Sequence, residues 1–168
     1  MRLFPAVILY IQIWGNRLKV VNVQSLQQFD EVALIGVKHA KKGLQLDSIG
    51  YQAQKSIKAD VEVSNPFDHP RSLLNNFYLS AMLIQQAMKQ VYKTGRFKPL
   101  PQIIMHPMEK LEGGLTGIEE RAFQELAFQV GGRDVVVYSG AELDVVNDAE
   151  KCHQLLKEQK IVLRKSFL

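Results

Sequence analysis

A chain of 168 residues is long enough to form one domain with its own core, without disulfide or metal staples. With 46% hydrophobic residues and a mean hydropathy of -0.08, the composition is that of a soluble globule rather than a membrane or fibrous protein. The formal charge of +4 comes from scattered groups (Lys38, Lys41, Lys42; Lys93, Arg96, Lys98; Lys157, Lys160, Arg164, Lys165) with no interleaved aromatics, which argues for solvated surface and against a nucleic-acid partner.

The opening residues from Met1 form an apolar run to Ile11 that is broken by Pro5 and then by Gln12, and no small-residue cleavage site follows. They are too few to span a bilayer and read as the approach to a first core strand, Ala6 to Ile13. Gly15-Asn16 forms a tight turn, and Leu18 to Val23 returns antiparallel. Glu31 to Val37 makes a third strand of the meander, and Lys38 to Leu46 is a charged connection. Ile49 to Lys55 is a short helix. The two prolines of Asn65 to Pro70 forbid helix there.

The longest helix is expected over Arg71 to Lys93, with Leu74, Phe77, Tyr78, Ala81, Ile84, Met88, Val91 and Tyr92 on its apolar face and Gly95 as its stop. Pro101 to Pro107 is a buried strand. Thr116 caps the next helix, with Glu119 completing a capping box and Glu120 adding negative charge to the first turn. Ile118, Ala122, Phe123, Leu126, Ala127 and Val130 form that helix's stripe, and Gly131-Gly132 ends it. Arg133 to Ser139 is the fifth strand, and a last helix runs over Asp148 to Gln159, anchored by Leu155 and Leu156. Ile161 to Leu163 is either a short added strand or a docking segment. The order β-β-β-α-β-α-β-α implies an α/β fold with a five-stranded mixed sheet: an antiparallel meander, then parallel strands joined by crossover helices.

Gly114-Leu-Thr-Gly-Ile-Glu-Glu-Arg-Ala122 and Gly131-Gly-Arg-Asp-Val135 resemble the "GxTxxERRA … AGAREV" segment of the bacterial actin-like, rod-shape-determining (MreB-like) family, and Ile49 to Lys55 resembles its "VGxEAK" element. The similarity is good over Leu100 to Tyr138, fair over Ile49 to Lys93 and thin before that. It implies an RNase H-like, actin-like domain spanning 1–168, equivalent to the first half of such a protein. These motifs are a capped helix and the strand it feeds, so they speak for architecture rather than turnover.

The resemblance also implies a first strand carrying "DLGT", whose aspartate faces metal-bound phosphates and whose glycine lets the backbone approach them. Here Gln12 stands in the place of the aspartate and Trp14 in that of the glycine. A neutral amide cannot organise Mg²⁺ as a carboxylate does, and an indole obstructs a phosphate. The family's Glu-Glu-Pro step after the fifth strand is replaced by Ser139-Gly140-Ala141-Glu142, with Glu142 a displaced stand-in. The second phosphate loop and the adenosine segment would follow, beyond Leu168.

Other chemistry is equally thin. Cys152, the single cysteine, excludes an internal disulfide and fits a reducing cytoplasm. His39, His69, His106 and His153 stand at no metal-ligand spacing. A two-metal nuclease needs a carboxylate on the first strand, where Gln12 sits, and Glu119, Glu120 and Asp134 read as cap and surface charges. His106, at a strand end, is the one residue to watch as a base.

The expectation is therefore a non-enzymatic, cytoplasmic, bacterial actin-like domain with no cofactor. It would bind a protein partner in cell-shape or envelope-assembly machinery, or pair with a second copy through the face that meets the second half in such proteins, a face otherwise covered by the tail Lys160 to Leu168; the apolar Ile161-Val162-Leu163 and Phe167-Leu168 motivate the pairing. The alternative is a nucleotide-binding subunit that completes an ATP cleft with another chain.

Overall fold

The first strand sets the architecture. In β1 (Ile8–Ile13) every residue is buried, and strand alternation sends Leu9, Ile11 and Ile13 to one face and Ile8, Tyr10 and Gln12 to the other. A strand apolar on both faces must lie inside a sheet covered on both sides. The computed structural model describes residues 6–93, 95 and 98–166, with side chains described as far as 159.

After β1 come β2 (Arg17–Asn22), β3 (Gln28–Val32), β4 (Ile35–Ala40), β5 (Gly43–Ile49), α1 (Gly50–Gln54) and β6 (Glu62–Ser64). Then follow α2 (Phe77–Val91), β7 (Gln102–Pro107), α3 (Gly117–Gln129), β8 (Asp134–Val137) and α4 (Ala149–Ser166). The main sheet has five strands in the order β3-β2-β1-β7-β8. β1, β2 and β3 pair antiparallel, whereas β1, β7 and β8 are parallel, so the expected mixed sheet is present. One face, with Leu9, Ile11, Ile103 and Met105, packs against Leu83, Ile84 and Ala87 of α2 and Phe123, Leu126 and Ala127 of α3. The other, with Ile8, Tyr10, Ile104 and Val136, packs against Leu143, Cys152 and Leu156.

The first half departs from expectation. The stretch Glu31 to Val37 is not one strand: β3 ends at Val32, where Ala33 N donates to Asn16 O and Leu34 N to Val32 O, turning the chain out of the main sheet. The expected connection Lys38 to Leu46 is instead a hairpin, with Gly43 at φ +109° in the left-handed region. It belongs to a second sheet of order β5-β4-β6. Its polar outer face made these residues look like a loop, while Leu44 and Leu46 pack against the core from the inner face.

The helices shift too. Residues 71–76 stay outside α2 because Asn75 N and Asn76 N both donate to Pro66 O, and the Asn76 side chain caps the helix by accepting from Leu79 N at 3.0 Å. Phe77 and Tyr78 are consequently exposed, and Leu79, Leu83 and Ala87 take the buried positions expected for them. α2 ends at Val91, before Gly95. The capping box of Thr116 and Glu119 is present, but Ile118 lies outside the stripe at 84% exposure. α4, with 18 residues, is longer than α2 and continues through Ser166, so Ile161 to Leu163 is helical backbone rather than strand. Phe167 and Leu168, and the side chains of the tail that motivates pairing of two copies, lie outside the described residues.

Candidate functional site

Residues chosen for chemistry gather at the carboxyl ends of β1 and β7. Parallel register sets Tyr10 beside Ile104 and Gln12 beside His106. The β1–β2 turn closes with Trp14 N donating to Arg17 O at 2.9 Å. The Arg17 guanidinium lies over the Trp14 ring, 4.6 Å from its centroid, and forks onto both Asp30 oxygens, which holds the Asp30 carboxyl below its usual range.

His106 is buried at 1% exposure, and both its ring nitrogens are engaged. Nε2 is 3.1 Å from Gly140 O, a pure acceptor, so Nε2 carries the proton. Nδ1 is 2.6 Å from Tyr10 Oη. Leu143 N–H donates to that hydroxyl at 3.2 Å, so Tyr10 gives its own proton to Nδ1. The imidazole is therefore neutral. Burial pushes the His106 pKa below 6.5 and the Tyr10 hydroxyl up. Tyr138 closes the group with its ring edge-on to His106, 4.8 Å between centroids. Neither nitrogen is available to act as a base: the pair pins the loop after β8 to the sheet.

Gln12 is buried at 1% exposure, and its Nε2 donates to Glu142 Oε1 at 2.7 Å and approaches Met108 Sδ at 3.7 Å. The expected displacement of Glu142 is thus overcome by the loop, which brings the carboxylate onto Gln12. An aspartate at position 12 would set two anions side by side and require a cation between them. The amide bonds to Glu142 directly and requires none.

A second carboxylate, missed by sequence reasoning, completes the arrangement. Glu109 Oε2 accepts from Gly15 N at 2.8 Å, while Asn65 Nδ2 donates to Gly15 O at 2.7 Å. The β1–β7 register, with Ile13 opposite Pro107, carries Glu109 level with Gly15 just past the strand ends. That register was the only signal that could have found it. Beside Gln12 lies an open cavity of about 390 Å³, walled by Lys19, Val21, Gln28 and the Glu142 loop.

The remaining candidates stand elsewhere. Glu119 is spent on the α3 cap, its carboxyl held low by Thr116 N–H. The Asp134 carboxylate accepts from Gln102 Nε2. Cys152 is buried, which pushes its thiol up and makes it unreactive. Among the described residues, no group of three or more His, Cys, Asp or Glu side chains is placed to hold a metal ion. A magnesium–nucleotide does not fit what is present: the turn amide already binds a carboxylate, the strand residue is a donor facing Glu142, and both flanking groups are anionic.

No protein-family model matches the chain, and no curated protein matches it. Solved structures do. MreB5 of Spiroplasma citri bound to AMPPNP superimposes with a TM-score of 0.61 at 12% identity, over 81% of this chain and 39% of that one. A non-polymerising mutant of MamK bound to AMPPNP gives 0.62 at 11%, over 80% and 41%. A non-polymerisable mutant of pCBH ParM gives 0.55 at 8%, over 82% and 47%. The chain thus spans less than half the length of each. The likeness is one of fold, and the fold is actin-like, as the capped-helix and strand motifs implied.

Proposed function

We propose that this chain is a non-catalytic actin-like domain that serves as a protein-binding scaffold in the bacterial cytoplasm, in cell-shape or envelope-assembly machinery. One observation carries the non-catalytic part: Gln12 is wired to Glu142 and Gly15 to Glu109, so the groups that would meet a magnesium–phosphate meet internal carboxylates instead. The cell-shape setting rests on the resemblance of Gly114 to Ala122 and Gly131 to Val135 to the rod-shape-determining family. Its mechanism is surface recognition by the two-sheet domain. Among the described residues no helix is long and apolar enough to cross a membrane.

Phosphate release from ATP in the presence of Mg²⁺ tests this. Background rates are expected. Saturable turnover that disappears in Gln12→Ala would instead support the other reading, a subunit that completes an ATP cleft with another chain. That reading is favoured by the nucleotide carried in two of the structures that share the fold.

A further inference from the structure

Strand alternation places His106 of β7 on the α4 face of the sheet, beside Gln12 in the parallel register. From there it reaches the loop between β8 and α4, which three polar bonds tie down within four residues. Gly140 O accepts from His106 Nε2 at 3.1 Å, Glu142 Oε1 accepts from Gln12 Nε2 at 2.7 Å, and Leu143 N donates to Tyr10 Oη at 3.2 Å. The buried Leu143 side chain adds an apolar anchor beside Cys152 and Leu156. Beyond it the chain supports itself: Asp144 accepts from Val146 N and Asn147 Nδ2, and its own N–H donates to Asp148. The part that depends on the sheet is therefore 139–143.

Two of its bonds hang on one proton. The 2.6 Å line between His106 Nδ1 and Tyr10 Oη has room for a single hydrogen, which belongs to the hydroxyl. A second proton, placed on Nδ1, forces the hydroxyl to rotate. The oxygen's other contact is the Leu143 N–H, itself a donor, so the rotated O–H displaces it. A displaced buried donor is costly, and moving the loop relieves it.

The groups around the ring favour this outcome. β1 offers it the Tyr10 hydroxyl, and β8 the edge of the Tyr138 ring. The loop brings Glu142, whose charge favours the imidazolium. From α4, Cys152 faces Tyr10, Asp148 faces Cys152, and Lys151 Nζ lies 5.9 Å from the Tyr138 ring centroid. We propose that 139–143 is a proton-operated latch: it is shut while His106 is neutral, and a proton on Nδ1 releases Leu143 from Tyr10 and then Glu142 from Gln12. Opening frees the Gln12 amide and removes one wall of the cavity of about 390 Å³ beside it. The device does not depend on what the domain binds. Burial keeps the ring neutral around pH 7, so the latch opens on mild acidification.

Amide hydrogen exchange of the full chain at pH 7.5 and pH 5, corrected for the pH dependence of exchange itself, tests this. The Leu143 N–H is expected to lose protection at least about tenfold between the two, while the core amides of β1 and β7 keep theirs. The His106 ring, followed by NMR, should titrate with the same midpoint as the loss at Leu143. His106→Gln keeps a donor for Gly140 O and an acceptor for the Tyr10 hydroxyl but takes up no proton. It is expected to hold Leu143 protected at both pH values, which separates the ring from Glu142 as the titrating group. The comparison of midpoints in wild type stands whether or not that variant folds. Equal protection of Leu143 at both pH values overturns the proposal. So does a loss shared by the β1 and β7 core, a His106→Gln response like that of wild type, or a ring midpoint that differs from that of the loop.

Discussion

Gln12 sits at the end of a fully buried strand, a place where a neutral amide survives only with a partner. Glu142 supplies it at 2.7 Å. Gln12→Glu keeps the shape and replaces an attraction with a repulsion, so at pH 8 the variant is expected to lose about 2 kcal/mol or more of unfolding free energy. Acid should restore most of it, because one carboxyl of the pair then holds a proton. Denaturant melts at pH 8 and pH 5 read this directly, and a variant as stable as wild type at both would contradict the bond.

His106 gives a signature of opposite chemistry. Its folded pKa lies below its ordinary value of 6.5, so on acidification the unfolded chain takes up the proton first. The stability due to its neutral ring is full above pH 6.5 and is lost as pH falls through the lower folded value. Melts between pH 7.5 and pH 5 should show this loss in wild type, and His106→Gln should lack that component. Tyr10→Phe strands both Leu143 N–H and His106 Nδ1 in the interior and is expected to cost about 1–3 kcal/mol.

Among the elements, α3 depends most visibly on its ends. Thr116 accepts from Glu119 N, and Glu119 answers through Thr116 N. Thr116→Ala is expected to cost about 1 kcal/mol by thermal or chemical melting. At the other end Gly131 has φ +106°, and an added Cβ on Gly132 would meet Ala127 O at 2.8 Å, Ile103 Cδ1 at 2.9 Å and Val135 Cγ2 at 2.9 Å. Gly132→Ala should therefore destabilise by about 1–3 kcal/mol through overpacking, where a merely punctuating glycine would tolerate the methyl group. These ends were legible because caps and glycines are local chemistry. β4 and β5 were not, because a strand with one wet face, such as Lys38-His39-Ala40, has the composition of a loop. The start of α2 was misplaced for a related reason: residues 71–76 are acceptable helix formers, and only the distant Pro66 carbonyl decides that they turn instead.

For the whole molecule, the main sheet was readable because β1, β7 and β8 are apolar enough to demand cover on both faces, and the alternation of strand and helix then leaves few arrangements. Gln12 and Trp14, standing where the resemblance implies an aspartate and a glycine, were readable too. Their partners were not. Glu109 and Glu142 reach the first strand from positions about a hundred residues away in the chain, and only the parallel register and the loop held by Tyr10 and His106 bring them there. On the proposed reading, the actin-like scaffold is kept while the Gln12 amide and the Gly15 N–H are bonded to Glu142 and Glu109. Calorimetric titration of the chain with ATP and Mg²⁺ tests this most directly. A cleft wired to its own carboxylates gives no saturable heat, whereas stoichiometric binding with micromolar affinity, abolished by Gln12→Ala, would contradict it.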